Sequence, residues 1–132
     1  MTNNLNLENQ ITLTTGMFDL LKVQIAKRRL DQQNELRISS ELRNAKQVLR
    51  RDLPAGIVDV YKTVTVIDLE TNEQNVYNFV PQNVARRKHG TVSILSGLGI
   101  ALLGHKEGTK LKWETPEGEK SYHIKAISDF VR

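Results

Sequence analysis

The stretch HGTVSILSGLGIALLGHKEGTKLKWETPEGE, from His89 to Glu119, decides the fold. Thr91 to Leu95 is rich in Thr, Val and Ile, residue types that suit a pleated, half-buried strand. Ser96-Gly97 breaks that strand. Leu98 to Leu103 is apolar and short, enough for one or two helical turns pressed onto a sheet. Gly104 falls where a helix ends in a left-handed residue, and Gly108 marks a second turn. Leu111-Lys112-Trp113-Glu114 alternates like a strand, and Pro116-Glu117-Gly118-Glu119 has turn chemistry. Ser121 to Ile127 then resumes alternation, with Tyr122, Ile124 and Ala126 on one face and His123 and Ile127 on the other. The predicted order is strand, short helix, strand, hairpin turn, strand.

Upstream, Ile57 to Ile67 alternates as a strand, with Val58, Val60, Val64 and Val66 inward. Thr71-Asn72-Glu73 is a hairpin signal, and Asn75 to Val80 returns as the partner strand. Pro81 to Lys88 is a loop or short helix carrying the triplet Arg86-Arg87-Lys88. These pieces predict an antiparallel sheet with one short helix.

The N-terminal part reads differently. Residues 1 to 11 are rich in Asn and lack a period. Thr12, Thr14 or Thr15 can cap a helix that begins near Met17. Phe18, Leu21 and Ile25 recur at helical spacing, Leu20 widens the stripe, and the pattern runs to about Leu30. After Asp31-Gln32-Gln33-Asn34, a second helix carries Ile38, Leu42, Ala45 and Leu49, a seam like that of a coiled coil. Pro54 ends it and disfavours helical geometry at Leu53. The expectation is an α+β chain: an antiparallel helical hairpin over 1–53, with arms of about 24 to 27 Å at 1.5 Å per residue, and a sheet domain over 54–132.

Composition narrows the function. At 132 residues the chain holds one domain or a small domain with an appendage. Aromatic residues make up only 5%, so the core is aliphatic and a deep aromatic pocket is not expected. There is no cysteine, hence no disulfide and no thiolate metal site, which fits a reducing cytoplasm. Met1 to Gln10 is polar and is not a signal peptide. No apolar run approaches the roughly 18 to 20 residues of a membrane span, so a cytoplasmic protein without a membrane partner is expected. The formal net charge is +4, with clusters at Lys27-Arg28-Arg29, at Arg37, Arg43, Lys46, Arg50 and Arg51, and at Arg86-Arg87-Lys88.

Five segments in order resemble the C-terminal domain of the GreA/GreB transcription elongation factors, the Gre transcript-cleavage factors of bacterial RNA polymerase. They are Tyr61 to Leu69 with Tyr77 to Val80, Ser93 to Ser96, Gly99 to Gly104, Gly108-Thr109, and Thr115 to Gly118. The resemblance spans about residues 57 to 130. It departs at Gly97, where the family has proline, and at Thr109, where it usually has Asp. It implies an FKBP-like fold carrying a coiled-coil arm, here short as in the Rnk-type relatives. It also implies RNA polymerase as partner, with the arm at the secondary channel. Ser96, Gly97, Leu98 and Gly99 then correspond to the loop that docks on the polymerase, expected here as an exposed apolar loop.

In that family the arm tip carries an Asp and a Glu that help hold a metal ion and a water for RNA hydrolysis, work for which hard oxygen ligands are suited. The tip here carries Asp31 and Glu35, four apart rather than three and in a different local motif. Their simpler role is helix capping and first-turn charge. Lys27-Arg28-Arg29 beside them would repel a metal. Arg86, Arg87 and Lys88 are candidates for phosphate contact, DNA included, although no aromatics are interleaved for base stacking. His89, His105 and His123 form no spaced ligand pair and are expected on the surface or in the sheet. No nucleophile elbow, Walker loop or GxGxxG is present. The chain is therefore expected to be no enzyme, to need no cofactor or metal, and to regulate transcription by steric occupancy of the channel. Stimulation of transcript cleavage is the alternative. A prolyl isomerase inferred from fold alone and a nucleic-acid-binding module are weaker ones.

Overall fold

The structure is a computed structural model and describes residues 10–85, 90–115 and 117–130. The chain divides into two compact units, Met1–Pro54 and Ala55–Arg132.

The first unit opens with β1 (Thr12–Thr14), followed by α1 (Thr15–Ala26), α2 (Gln32–Arg43) and β2 (Lys46–Val48). Thr14 caps α1, its Oγ1 accepting a hydrogen bond from the Met17 N–H at 3.1 Å. Met17, Leu21 and Gln24 are buried along α1, and Asn34, Ile38 and Leu42 along α2. These i, i+4 and i+7 or i+8 spacings put one face of each helix inside. With Ile11 and Leu13, the apolar four of these form a small core of aliphatic residues and methionine, and Gln24 and Asn34 are buried polar residues beside it in sequence.

The hairpin is shorter than expected, each helix having 12 residues and so a length of about 18 Å. The first helix stops at Ala26 rather than Leu30, because Arg28 turns to φ 53°. The Arg28 N–H then reaches Ile25 O and the Arg29 N–H reaches Gln24 O, each at 3.0 Å, a Schellman closure. The second helix stops at Arg43, so Ala45 and Leu49 do not extend the seam, and Leu49 is half exposed. Beyond Asn44 the backbone finds other partners. Lys46 N–H bonds Ile11 O at 2.9 Å, and Thr12, Leu13 and Thr14 pair in parallel with Lys46, Gln47 and Val48.

The second unit is a five-stranded sheet in the order β5-β4-β3-β7-β6. Its strands are β3 (Lys62–Asp68), β4 (Gln74–Val80), β5 (Thr91–Ser93), β6 (Lys110–Thr115) and β7 (Gly118–Asp129), with α3 (Gly97–Leu102) between β5 and β6. The α+β expectation holds. The sheet departs from it in one pairing, since β5 runs parallel to β4 while the other pairs are antiparallel.

Residues 57–61 do not extend β3. Tyr61 adopts φ 62°, which ends strand geometry, and its N–H and C=O engage Phe79 O and the Phe130 N–H. Val60 is accordingly only half-buried, while Val58, Val64 and Val66 are inside. The β3–β4 turn is as expected: Asn72 takes φ 65°, and Asp68 Oδ1 accepts from the Glu70 and Thr71 N–H groups.

On β7 the simple alternation fails. Thr65 pairs with Ala126 but Val66 with Ile124, so Lys125 is an extra residue and the strand bulges there. Ile127 and Ile124 therefore lie opposite Val64 and Val66 on the same face, instead of on opposite faces. Phe79, Val64, Val66 and Ile124 of the sheet are buried, as are Ile100, Ala101 and Leu102 of α3, with Leu111 and Trp113 also inside.

Candidate functional site

Ser96 to Gly99 join β5 to α3. Ser93 organises the approach: its hydroxyl accepts from the Leu95 N–H at 3.0 Å, and its carbonyl accepts from the Ser96 N–H at 3.0 Å. Thus β5 ends at Ser93, before Ile94 and Leu95. Ser96 is the N-cap of α3, its Oγ accepting from the Gly99 N–H at 3.1 Å. The segment is therefore a capped helical turn and not the free apolar loop expected. Gly97 alone among the four is fully on the outside; Ser96 and Leu98 are half-buried and Gly99 is buried. The reason lies at Gly99, where a Cβ would come within 2.9 Å of Ile94 Cα and 2.7 Å of its carbonyl carbon. Only a glycine lets this turn lie so close to the preceding backbone. Gly104, at φ 85°, closes the other end of α3.

At the hairpin tip, Asp31 is the N-cap of α2, with Oδ1 accepting from the Asn34 N–H at 2.8 Å. Glu35 lies in the first turn, and its N–H donates to Asp31 O at 2.8 Å. Lys27, Arg28 and Arg29 are all exposed in the connection just before them. The tip thus brings two carboxylates and three cations into a short segment. Arg86, Arg87, Lys88 and His89 lie outside the described residues. His123 is half-buried on β7, as a sheet residue. His105, expected on the surface or in the sheet, is instead buried in the turn after α3, where its carbonyl accepts from the Val58 N–H. Two backbone bonds pin this turn, since Gly104 N–H also donates to Val58 O at 3.0 Å.

Among the described residues, no group of three or more His, Asp or Glu side chains is arranged to hold a metal. No helix among the described residues is long and apolar enough to cross a membrane. Sequence reasoning missed one feature, a groove of about 350 Å³ along the hairpin, lined in part by Phe18, Lys22, Leu42 and Arg43. Its signal was present: Phe18, Lys22 and Ile25 share a helical face beside the buried Met17, Leu21 and Gln24.

The family model described as "Transcription elongation factor, GreA/GreB, C-term" matches residues 53–129, more than half of the chain. The chain belongs to the GreA/GreB family. The Gre-type match takes in the whole sheet, α3 and the Ser96 turn. Transcription elongation factor GreA of Acinetobacter baumannii (strain SDF) is 35% identical over 91 residues, 68% of this chain and 58% of that protein. The GreA of Xylella fastidiosa (strain 9a5c) is 36% identical over 91 residues, with the same coverage. The chain thus spans under two thirds of the length of these GreA relatives. A solved structure described as a prokaryotic transcription elongation factor GreA/GreB from Nitrosomonas europaea superposes with a TM-score of 0.67. That match covers 90% of this chain and 98% of the other at 22% identity, a likeness of fold.

Proposed function

We propose that this Gre-type chain is a regulator of transcription elongation that binds bacterial RNA polymerase and acts by occupying the entrance of its secondary channel. The C-terminal domain docks through the Ser96–Gly99 turn, and the short hairpin is the obstructing element. It is an accessory factor and not itself an enzyme. The observation that carries steric action, rather than stimulated cleavage, is the state of the tip. Asp31 turns one carboxylate oxygen, Oδ1, to the Asn34 N–H, and Lys27, Arg28 and Arg29 crowd the same connection with positive charge. A metal-assisted hydrolysis needs carboxylates turned toward a cation and its water, in surroundings that do not repel the cation. Arms of about 18 Å also reach less far than the long helices expected from the seam.

The test has two readouts. Core RNA polymerase should retain the wild-type chain in a pull-down and lose the Gly97→Glu variant. Gly97 is exposed at the first position of α3, where a carboxylate suits the helix terminus and the fold survives. On backtracked elongation complexes the wild-type chain should not accelerate cleavage, yet it should inhibit a cleavage-competent Gre factor in competition. Failure of the wild-type chain to bind would remove the proposal. Cleavage that depends on Asp31 or Glu35 would replace steric action with the catalytic reading.

A further inference from the structure

The hairpin carries a second surface unrelated to the Ser96 turn or to the tip carboxylates. Between α1 and α2 lies a groove of about 350 Å³ whose apolar lining comes from Phe18, Ile25, Ala26 and Leu42. Lys22 and Arg43 stand at its margins, both exposed. Phe18 and Ile25 are only half-buried, so these two large side chains are not covered by the first unit's own core.

We propose that this groove is the seat of a partner protein's amphipathic helix, with an apolar stripe for the floor and acidic residues for the two margins. Three observations favour that occupant. The groove runs over two turns of α1, from Phe18 to Ala26, alongside one turn of α2. Two antiparallel helices with an apolar furrow between them accept a third helix, whose i, i+3 or i+4 and i+7 side chains enter the furrow. The margins are cationic. Among the described residues, neither Lys22 nor Arg43 has a carboxylate within salt-bridge distance, and the Lys22 ammonium lies 5.7 Å from the Phe18 ring centroid. That cation–π contact holds the charge at the rim of the apolar floor. Finally, the unit as a whole is basic: residues 1–54 contain nine Lys and Arg against six Asp and Glu. A second copy seated groove to groove would set Lys22 and Arg43 against themselves, and like charges across an interface oppose pairing.

The probe is a labelled, end-blocked peptide of about four helical turns, with leucines at helical spacing and glutamates flanking the stripe. Its twin has lysines in place of the glutamates. Fluorescence anisotropy with the full chain should favour the acidic peptide by about tenfold or more, and added salt should shrink the preference. The charge-reversed variant Lys22→Glu/Arg43→Glu should favour the lysine peptide instead. Ala26→Arg, at an exposed position on the groove floor, should weaken both, with circular dichroism checking that each variant stays folded. Equal affinity for the two peptides, or a preference unmoved by charge reversal in a folded variant, would overturn the proposal. So would self-association of the wild-type chain that Ala26→Arg abolishes, since a second copy would then fill the groove. None of these readouts involves polymerase, so they stand or fall separately from docking.

Discussion

The α-carbon of Gly99 rests against the backbone of Ile94 so closely that a methyl group there would overlap the Ile94 carbonyl group. The obstacle is backbone rather than a flexible side chain, and Ile94 is itself buried at 1% exposure. Gly99→Ala must therefore push the first turn of α3 away from the Ile94 backbone, at a cost of about 1–3 kcal/mol. Urea denaturation should show the loss. Gly97→Ala, outside at the same turn, should be neutral or slightly stabilising.

Arg28 offers the opposite case. It closes α1 at φ 53°, where glycine is the usual residue. Arg28→Gly removes a left-handed strain of about 1–2 kcal/mol and adds unfolded-chain entropy of about 0.5–1 kcal/mol. A net gain of about 0.5–1 kcal/mol is expected, readable as a higher urea midpoint. A stability loss would mean that the Arg28 side chain contributes more than its backbone strain costs.

Asp31→Ala should destabilise the first unit by about 1 kcal/mol through loss of the helix cap, whereas Asp31→Asn keeps an acceptor for the Asn34 N–H and should be nearly neutral. Thermal unfolding followed by circular dichroism separates the two. The same pair is useful with polymerase, because Asn preserves the tip's structure while removing its charge.

Tyr77 and Tyr122 titrate above the ordinary phenol value of 10.0. Burial is the main cause for both, followed by the Asp68 carboxylate and then by neighbouring anionic groups, Glu73 for Tyr77 and the Tyr77 phenolate and Glu70 for Tyr122. Folding thus favours the neutral phenols. Their contribution to stability is complete below pH 10 and is lost as pH rises through the raised folded values. Alkaline titration by tyrosinate absorbance, compared with Tyr77→Phe and Tyr122→Phe variants, should show these two phenols ionising above the ordinary value. Asp68→Asn, which keeps the oxygen that accepts from Glu70 and Thr71, should move both downward.

Much of this was legible in the residues. The turn at Asn72, the left-handed Gly104 and the alternation of Leu111 and Trp113 each had a local cause that the fold retained. What was hidden depended on distant partners. Ala45 and Leu49 continue a helical spacing by composition alone, and only the pairing of Lys46–Val48 with Thr12–Thr14 pulls that segment out of the helix. Strands of three residues are too short to register as periodic. Lys125 looks like any exposed strand residue until Val66 and Ile124 are seen to pair. The candidate site was less legible than the fold. Ser96 to Gly99 reads as an apolar loop, because the sequence does not display the Ile94 backbone that takes in Gly99. Asp31, by contrast, announced its capping role through its place before Gln32 to Asn34.

The two short parallel strands at the foot of the hairpin join its ends, while the helices above them close independently at the Arg28 turn and the Asp31 cap. Base and tip are thus separately self-contained, and the helical shaft between them is the only part whose extent sets reach. Adding one turn to each helix would carry the tip outward by about 5.4 Å without altering either fastening. Reach can then be changed in steps, as with a telescoping rod, while the anchoring and the chemistry of the end stay as they are.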